Sequence, residues 1–178
     1  LTVTGGSAPY TYLWSNAATT QDVTGLTAGT YTVTVTDING CSKTASATVT
    51  QPTVIALNAV ATNVSCYGGF NGTVDLTVSG GTPGYTYQWS NAATTQDLTN
   101  VFAGTYTVTV TDSHNCTKTT SVVITQPTDI APVFLVTHVI CFGGNNGAID
   151  LSVSGGTPGY TYAWSNGATT QDISNLTA

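Results

Sequence analysis

The sequence contains no arginine and no glutamate, and its only basic side chains of fixed charge are Lys43 and Lys118. All eight acidic residues are aspartates, so the net charge is −6 with just 6% charged residues. A nucleic-acid surface needs a basic footprint, and an anionic membrane surface attracts polybasic segments; neither partner fits this chain. No hydrophobic run is long enough for a transmembrane helix, and helical periodicity is missing throughout. There is no Cys-x-x-Cys pair, and His114 and His138 recur nowhere, standing opposite Asn39 and Asn63 one period earlier. A metal site therefore has no ligand set, and no cofactor is expected. General acid–base chemistry requires a tuned pair. With no glutamate, no repeated histidine and no Ser/His/Asp grouping, no catalytic residue is assigned and the chain is not expected to be an enzyme.

What is present is a repeat. Gly80-Gly81-Thr82-Pro83-Gly84-Tyr85-Thr86-Tyr87-Gln88-Trp89-Ser90-Asn91 has counterparts beginning at Gly5 and at Gly155. The tryptophans at 14, 89 and 164 set a period of 75 residues (89 − 14 = 164 − 89). Tyr85, Tyr87 and Trp89 alternate with Thr86 and Gln88, so the aromatics share one face of a strand. Hydrophobic content is 40%, and in this alternation it builds a core, while Thr, Ser, Asn and Gln solvate the surface. Such a surface suits an extracellular or outer-surface protein. Leu1 and Val3 already read as strand, so no leader is visible, which says nothing of the parent protein.

Three segments follow: 1–51, a partial repeat without its first strand; 52–126, a complete repeat; and 127–178, a partial repeat without its last strands. Gln51-Pro52-Thr53 and Gln126-Pro127-Thr128 mark the boundaries. A window that opens and closes inside a repeat is expected to belong to a longer polypeptide, since half-domains expose strand edges. In the complete repeat the strands are expected at 54–64, 73–79, 85–90, 95–98 (a short return strand), 105–112 and 118–125. Asp37-Ile38-Asn39-Gly40 is a hairpin signal. The Gly-Thr-Tyr openings at Tyr31 and Tyr106 resemble a tyrosine corner. The fold class is all-β: tandem immunoglobulin-like β-sandwich repeats of 75 residues.

Trp14, Trp89, Trp164, Tyr31 and Tyr106 are expected in the structural core, with Tyr87, Val108, Val110, Leu76 and Val78. The alternative for the tryptophans, sugar-stacking platforms, is disfavoured by their alternation with two tyrosines. Asp37 and Asp112 read as turn caps rather than calcium ligands, because no Asp-x-Asp cluster accompanies them. Asn63, Asn71, Asn115 and Asn175 match the N-linked sequon, a weak signal here.

Cys41, Cys66, Cys116 and Cys141 also recur at 75 residues, and two per small β-repeat read as disulfides in an oxidising compartment. Cys66–Cys116 is the leading pair, being the one that lies within a complete repeat. The topology also admits a bond from Cys66 to the following repeat, and Cys41–Cys66 is the least favoured pair.

At Cys66-Tyr-Gly-Gly-Phe-Asn-Gly, Val78-Ser-Gly-Gly-Thr-Pro-Gly-Tyr-Thr-Tyr-Gln-Trp-Ser-Asn and Gly104-Thr-Tyr-Thr-Val-Thr-Val-Thr-Asp, the chain resembles the SprB-type repeat of Bacteroidota surface proteins, found in large gliding-motility adhesins. The resemblance covers essentially the whole chain and implies outer-surface display, type IX secretion and a stalk or adhesin role. Two function classes remain. The first is a structural stalk or extracellular fibre whose partners are neighbouring repeats of the same chain and other copies in a filament. The second is a glycan-binding module using the loops that carry Tyr67, Phe70 and Phe142. The short Gln-Pro junctions predict a semi-rigid rod with roughly 35–45 Å of length per repeat.

Overall fold

The computed structural model describes residues 1–177. It is all-β, with no helix among the described residues, and divides into two compact units, Leu1–Thr53 and Val54–Ala178.

The complete repeat explains the other segments. Its strands are β4 (Ala56–Thr62), β5 (Gly72–Ser79), β6 (Thr86–Trp89), β7 (Leu98–Val101), β8 (Gly104–Thr111) and β9 (Thr117–Ile124). They form two antiparallel three-stranded sheets, ordered β4-β5-β7 and β6-β8-β9. This is the A-B-E and C-F-G arrangement of an immunoglobulin-like sandwich without strand D. Alternation supplies the core. Val74 and Leu76 from β5 meet Trp89 from β6, Val108 and Val110 from β8, and Ile124 from β9, all buried. Trp89 is 2% exposed, which excludes it as a sugar platform. Tyr87 and Val78 pack against this cluster and are half-buried.

The two sheets are also joined along one edge, where β4 packs beside β9. The Val64 amide donates to Thr125 O at 3.0 Å, and the Thr125 amide donates to Asn63 Oδ1 at 2.9 Å, so both strands finish together. They also begin together, because Ile55 and the Asp112 carboxylate crowd the same glycine. A Cβ on Gly81 would lie 2.7 Å from Ile55 Cγ1 and 2.9 Å from Asp112 Oδ2. With φ +65° as well, that turn admits only glycine. First and last strands of the repeat are therefore parallel neighbours.

Two expectations need correction. The return strand lies at Leu98–Val101, not 95–98, for a reason given below. Among the flanking segments, Trp14, Trp164 and Tyr31 are only half-buried, while Tyr106 in the complete repeat packs against the buried cluster. In the first segment β1 (Thr11–Trp14), β2 (Gly29–Thr36) and β3 (Ser42–Val49) make one sheet, and Val33 is its only fully buried apolar residue. In the last, β10 (Ala131–Thr137), β11 (Gly147–Ser154) and β12 (Ile173–Leu176) make another, and β10 is exposed throughout. Each is half a sandwich among the described residues. Residues 161–164 match β6 in sequence but form no ladder, because no strand equivalent to β8 lies beside them.

Candidate functional site

The side chains with assigned roles are first of all those that build the repeat. Three polar devices recur. The tryptophan indole closes its own loop: Trp14 Nε1 donates to Thr20 O, Trp89 Nε1 to Thr95 O and Trp164 Nε1 to Thr170 O, at 2.8–2.9 Å. Tyr10, Tyr85 and Tyr160 each donate a hydroxyl bond to the carbonyl of Gly5, Gly80 and Gly155. Tyr31 and Tyr106 donate to Thr27 O and Phe102 O, four residues upstream, both at 3.0 Å. That last geometry is the tyrosine corner.

Sequence reasoning missed a fourth device. The Asp97 carboxylate accepts from the Leu76 amide at 2.9 Å, and Gln96 Nε2 donates to Leu76 O at 2.6 Å. Asp172 and Gln171 grip Leu151 in the same way, and Gln21 Nε2 donates to Leu1 O as its counterparts do to Leu76 and Leu151. Two side chains here do what a neighbouring strand would do for a buried backbone. Thr95 and Gln96 are therefore not strand, and backbone pairing begins only at Leu98. The signal available was the recurrence of Thr-Thr-Gln-Asp at each period.

Asp112 is 4% exposed. Its Oδ2 accepts from the Thr82 amide at 3.0 Å, and its Oδ1 accepts from the His114 and Cys116 amides at 2.9 Å. The Thr82 bond, aided by those from Cys116 and His114 and by the His114 charge, holds the carboxyl below its ordinary 3.8 against the opposing effect of burial. Asp37 is lowered likewise, chiefly by Cys41 and then Ser7. With every oxygen committed to backbone, both are turn caps. No group of three or more metal-ligating side chains occurs among the described residues.

The cysteines correct an expectation. All four are free and exposed. Cys116 lies at the start of β9, while Cys66 follows Val64, which is bonded at the end of β9. Eight strand residues separate these ends, on the order of 25 Å, against the roughly 6 Å between Cα atoms that a disulfide requires. The Cys66–Cys116 pair cannot close within a repeat.

The candidate contact aromatics are at the surface. Tyr67, Phe70 and Phe142 are all exposed. Phe70 meets Phe102, also exposed, with ring centroids 6.0 Å apart and planes tilted by 46°. Phe142 is the counterpart of Tyr67 one period earlier, and Asn145 stands where Phe70 does, so the last segment has no counterpart of the Phe70–Phe102 contact. The loop beneath is fixed by Asn71, which accepts from the Ser65 amide and donates to Ser65 Oγ. Its amide nitrogen is thus already engaged.

The sequence model of the SprB repeat matches residues 1–19, 58–94 and 135–169, half of the chain. The chain belongs to the SprB repeat family. SprB repeats are typical of cell-surface proteins. No curated protein matches the chain. Among solved structures it is similar to an amphioxus IgVJ-C2 molecule, at 16% identity and a TM-score of 0.35, over 70% of this chain and 92% of that one. The three matched segments carry the glycine turn, the tyrosine bond across it and the tryptophan strand, while the indole acceptors, the Gln-Asp pairs and the tyrosine corners lie outside them.

Proposed function

We propose that these SprB repeats form a structural segment of a long secreted stalk or fibre on the outer cell surface, without catalytic chemistry of their own. The observation that carries this reading is that the polar devices are copied, not diversified. The indole bond, the tyrosine bond and the glutamine bond to the facing strand recur at every 75-residue step. Binding proteins concentrate variation in loops held on a fixed scaffold; here the turn after the tryptophan is itself repeated as Ser-Asn-Ala-Ala-Thr-Thr-Gln-Asp at 15–22 and 90–97. The parallel first and last strands support the same reading, because tension applied at the two ends shears β4 along β9. In shear all contacts of an interface resist together.

One observation favours a second reading as a glycan-binding module. Tyr67 and the Phe70–Phe102 pair put three exposed aromatic rings at one end of the complete repeat, and aromatic faces are the usual platform for sugars. A glycan array probed with the whole chain separates the two. The stalk reading expects no saturable signal; a signal abolished by Phe70→Ala establishes the module instead.

A further inference from the structure

We propose that disulfides join successive repeats, each linking the cysteine in the β4–β5 loop of one repeat to the cysteine in the β8–β9 hairpin of the next. The complete repeat carries both thiols, Cys66 and Cys116, exposed and at opposite ends. Both positions recur: Cys41 stands in the corresponding hairpin of the first segment and Cys141 in the corresponding loop of the last. A recurring pair of thiols that cannot meet within a repeat has its partners outside it.

Each thiol sits beside a junction. Cys66 belongs to the loop that holds the exit of the complete repeat. The Val64 amide donates to Thr125 O, and the Gly68 amide donates to Gln126 Oε1 at 2.9 Å. Gln126 is the first residue of the Gln-Pro-Thr boundary, so this loop is tied to the linker itself. Cys116 belongs to the hairpin that closes over the entry. Its amide donates to Asp112 Oδ1. The other oxygen of that carboxylate accepts from Thr82, next to the Gly81 turn against which Ile55 packs.

The linker brings the two kinds of end together. In the last segment Gly156 is the counterpart of Gly81. It too lies against an isoleucine, Ile130, and its amide donates to Thr128 O at 2.8 Å. One end of the linker thus holds the Cys66 loop, and the other holds the turn on which a hairpin of the Cys116 kind docks. Only Pro127 separates Gln126 from Thr128, a spacing of about 7 Å in extended chain. A disulfide needs roughly 6 Å between its Cα atoms, and the fixed φ of proline stiffens the linker between the two ends.

The bond forms by exchange with a low-molecular-weight disulfide. One cysteine thiolate attacks it and releases a small thiol, leaving a mixed disulfide. The second thiolate attacks the protein sulfur of that mixed disulfide and releases the other small thiol. The protein gives up two protons and an electron pair, and the small disulfide is reduced to two thiols. The inference extends the stalk reading, which stands without it, because unlinked repeats can still transmit force.

The test lengthens the full chain at either end. A copy of residues 104–126 placed after Ala178 continues the period and supplies a hairpin cysteine across the second junction. A copy of residues 52–75 placed before Leu1 supplies a loop cysteine across the first. Each extended chain is equilibrated at low concentration in a buffer of reduced and oxidised glutathione, and its free thiols are titrated. Each is expected to lose two thiols. Peptide mapping should show the added cysteine bonded to Cys66 in the first chain and to Cys116 in the second. Cys66→Ser in the first and Cys116→Ser in the second are expected to abolish the bond, and Cys141→Ser to leave it in place. The two extensions read different junctions, so one that fails to fold leaves the other decisive. Extended chains that keep every thiol, or a bond that uses Cys41 or Cys141, overturn the proposal.

Discussion

Trp89 shows how one side chain can carry both an apolar and a polar duty. Its indole fills the centre of the sandwich while Nε1 ties the following loop to Thr95 O. Trp89→Ala is expected to cost about 3–5 kcal/mol, the usual penalty for a large core truncation, read as a shift of the urea midpoint. Trp14→Ala, at a half-buried position, should cost clearly less. Asp112 gives a pH dependence. Its folded-state value is depressed below 3.8, so its contribution is complete above that value and is lost as pH falls through the lower, folded one. The wild-type midpoint should therefore drop on acidification below about pH 4, and Asp112→Asn should be less stable at neutral pH with a flatter acid limb. The alternation that buries Trp89 was legible in the sequence. The burial of Asp112 was not, because its first partner, Thr82, lies thirty positions away on another turn.

Among the elements, the tyrosine corner and the hairpins follow from local signals: a tyrosine after Gly-Thr, and an Asp-led turn before each last strand. The return strand was misplaced because Gln96 and Asp97 look like ordinary turn residues. Their side chains act as a substitute strand for Leu76, a role that appears only once β5 is beside them. Asp97→Ala should leave the buried Leu76 amide without an acceptor and cost about 1–3 kcal/mol. Hydrogen exchange at Leu76 checks it: protection should fall there while the amides of β8 and β9 change only through the global loss. Tyr106→Phe removes only the corner bond to Phe102 O and should cost about 0.5–1.5 kcal/mol, measured by the same denaturant titration.

For the molecule as a whole, the 75-residue period and the sandwich class were both readable, since they depend on patterns repeated along the chain. The cysteine pairing was not, because spacing in sequence does not tell which end of a sandwich a loop occupies. The same placement that separates Cys66 from Cys116 makes β4 and β9 parallel, and this bears directly on load. Force applied through handles at Val54 and Gln126 of the full chain shears β4 against β9. Force applied through handles at Val54 and Gly80 peels β4 from its antiparallel neighbour β5 one bond at a time. Single-molecule pulling along these two directions tests the stalk reading most directly. End-to-end loading should give one sharp unfolding step, releasing roughly 200 Å of chain at about 3.6 Å per residue less the folded length, at a force well above that of the peeling direction. Gradual yielding from end to end, or equal forces in the two directions, would contradict a load-bearing role for the repeat.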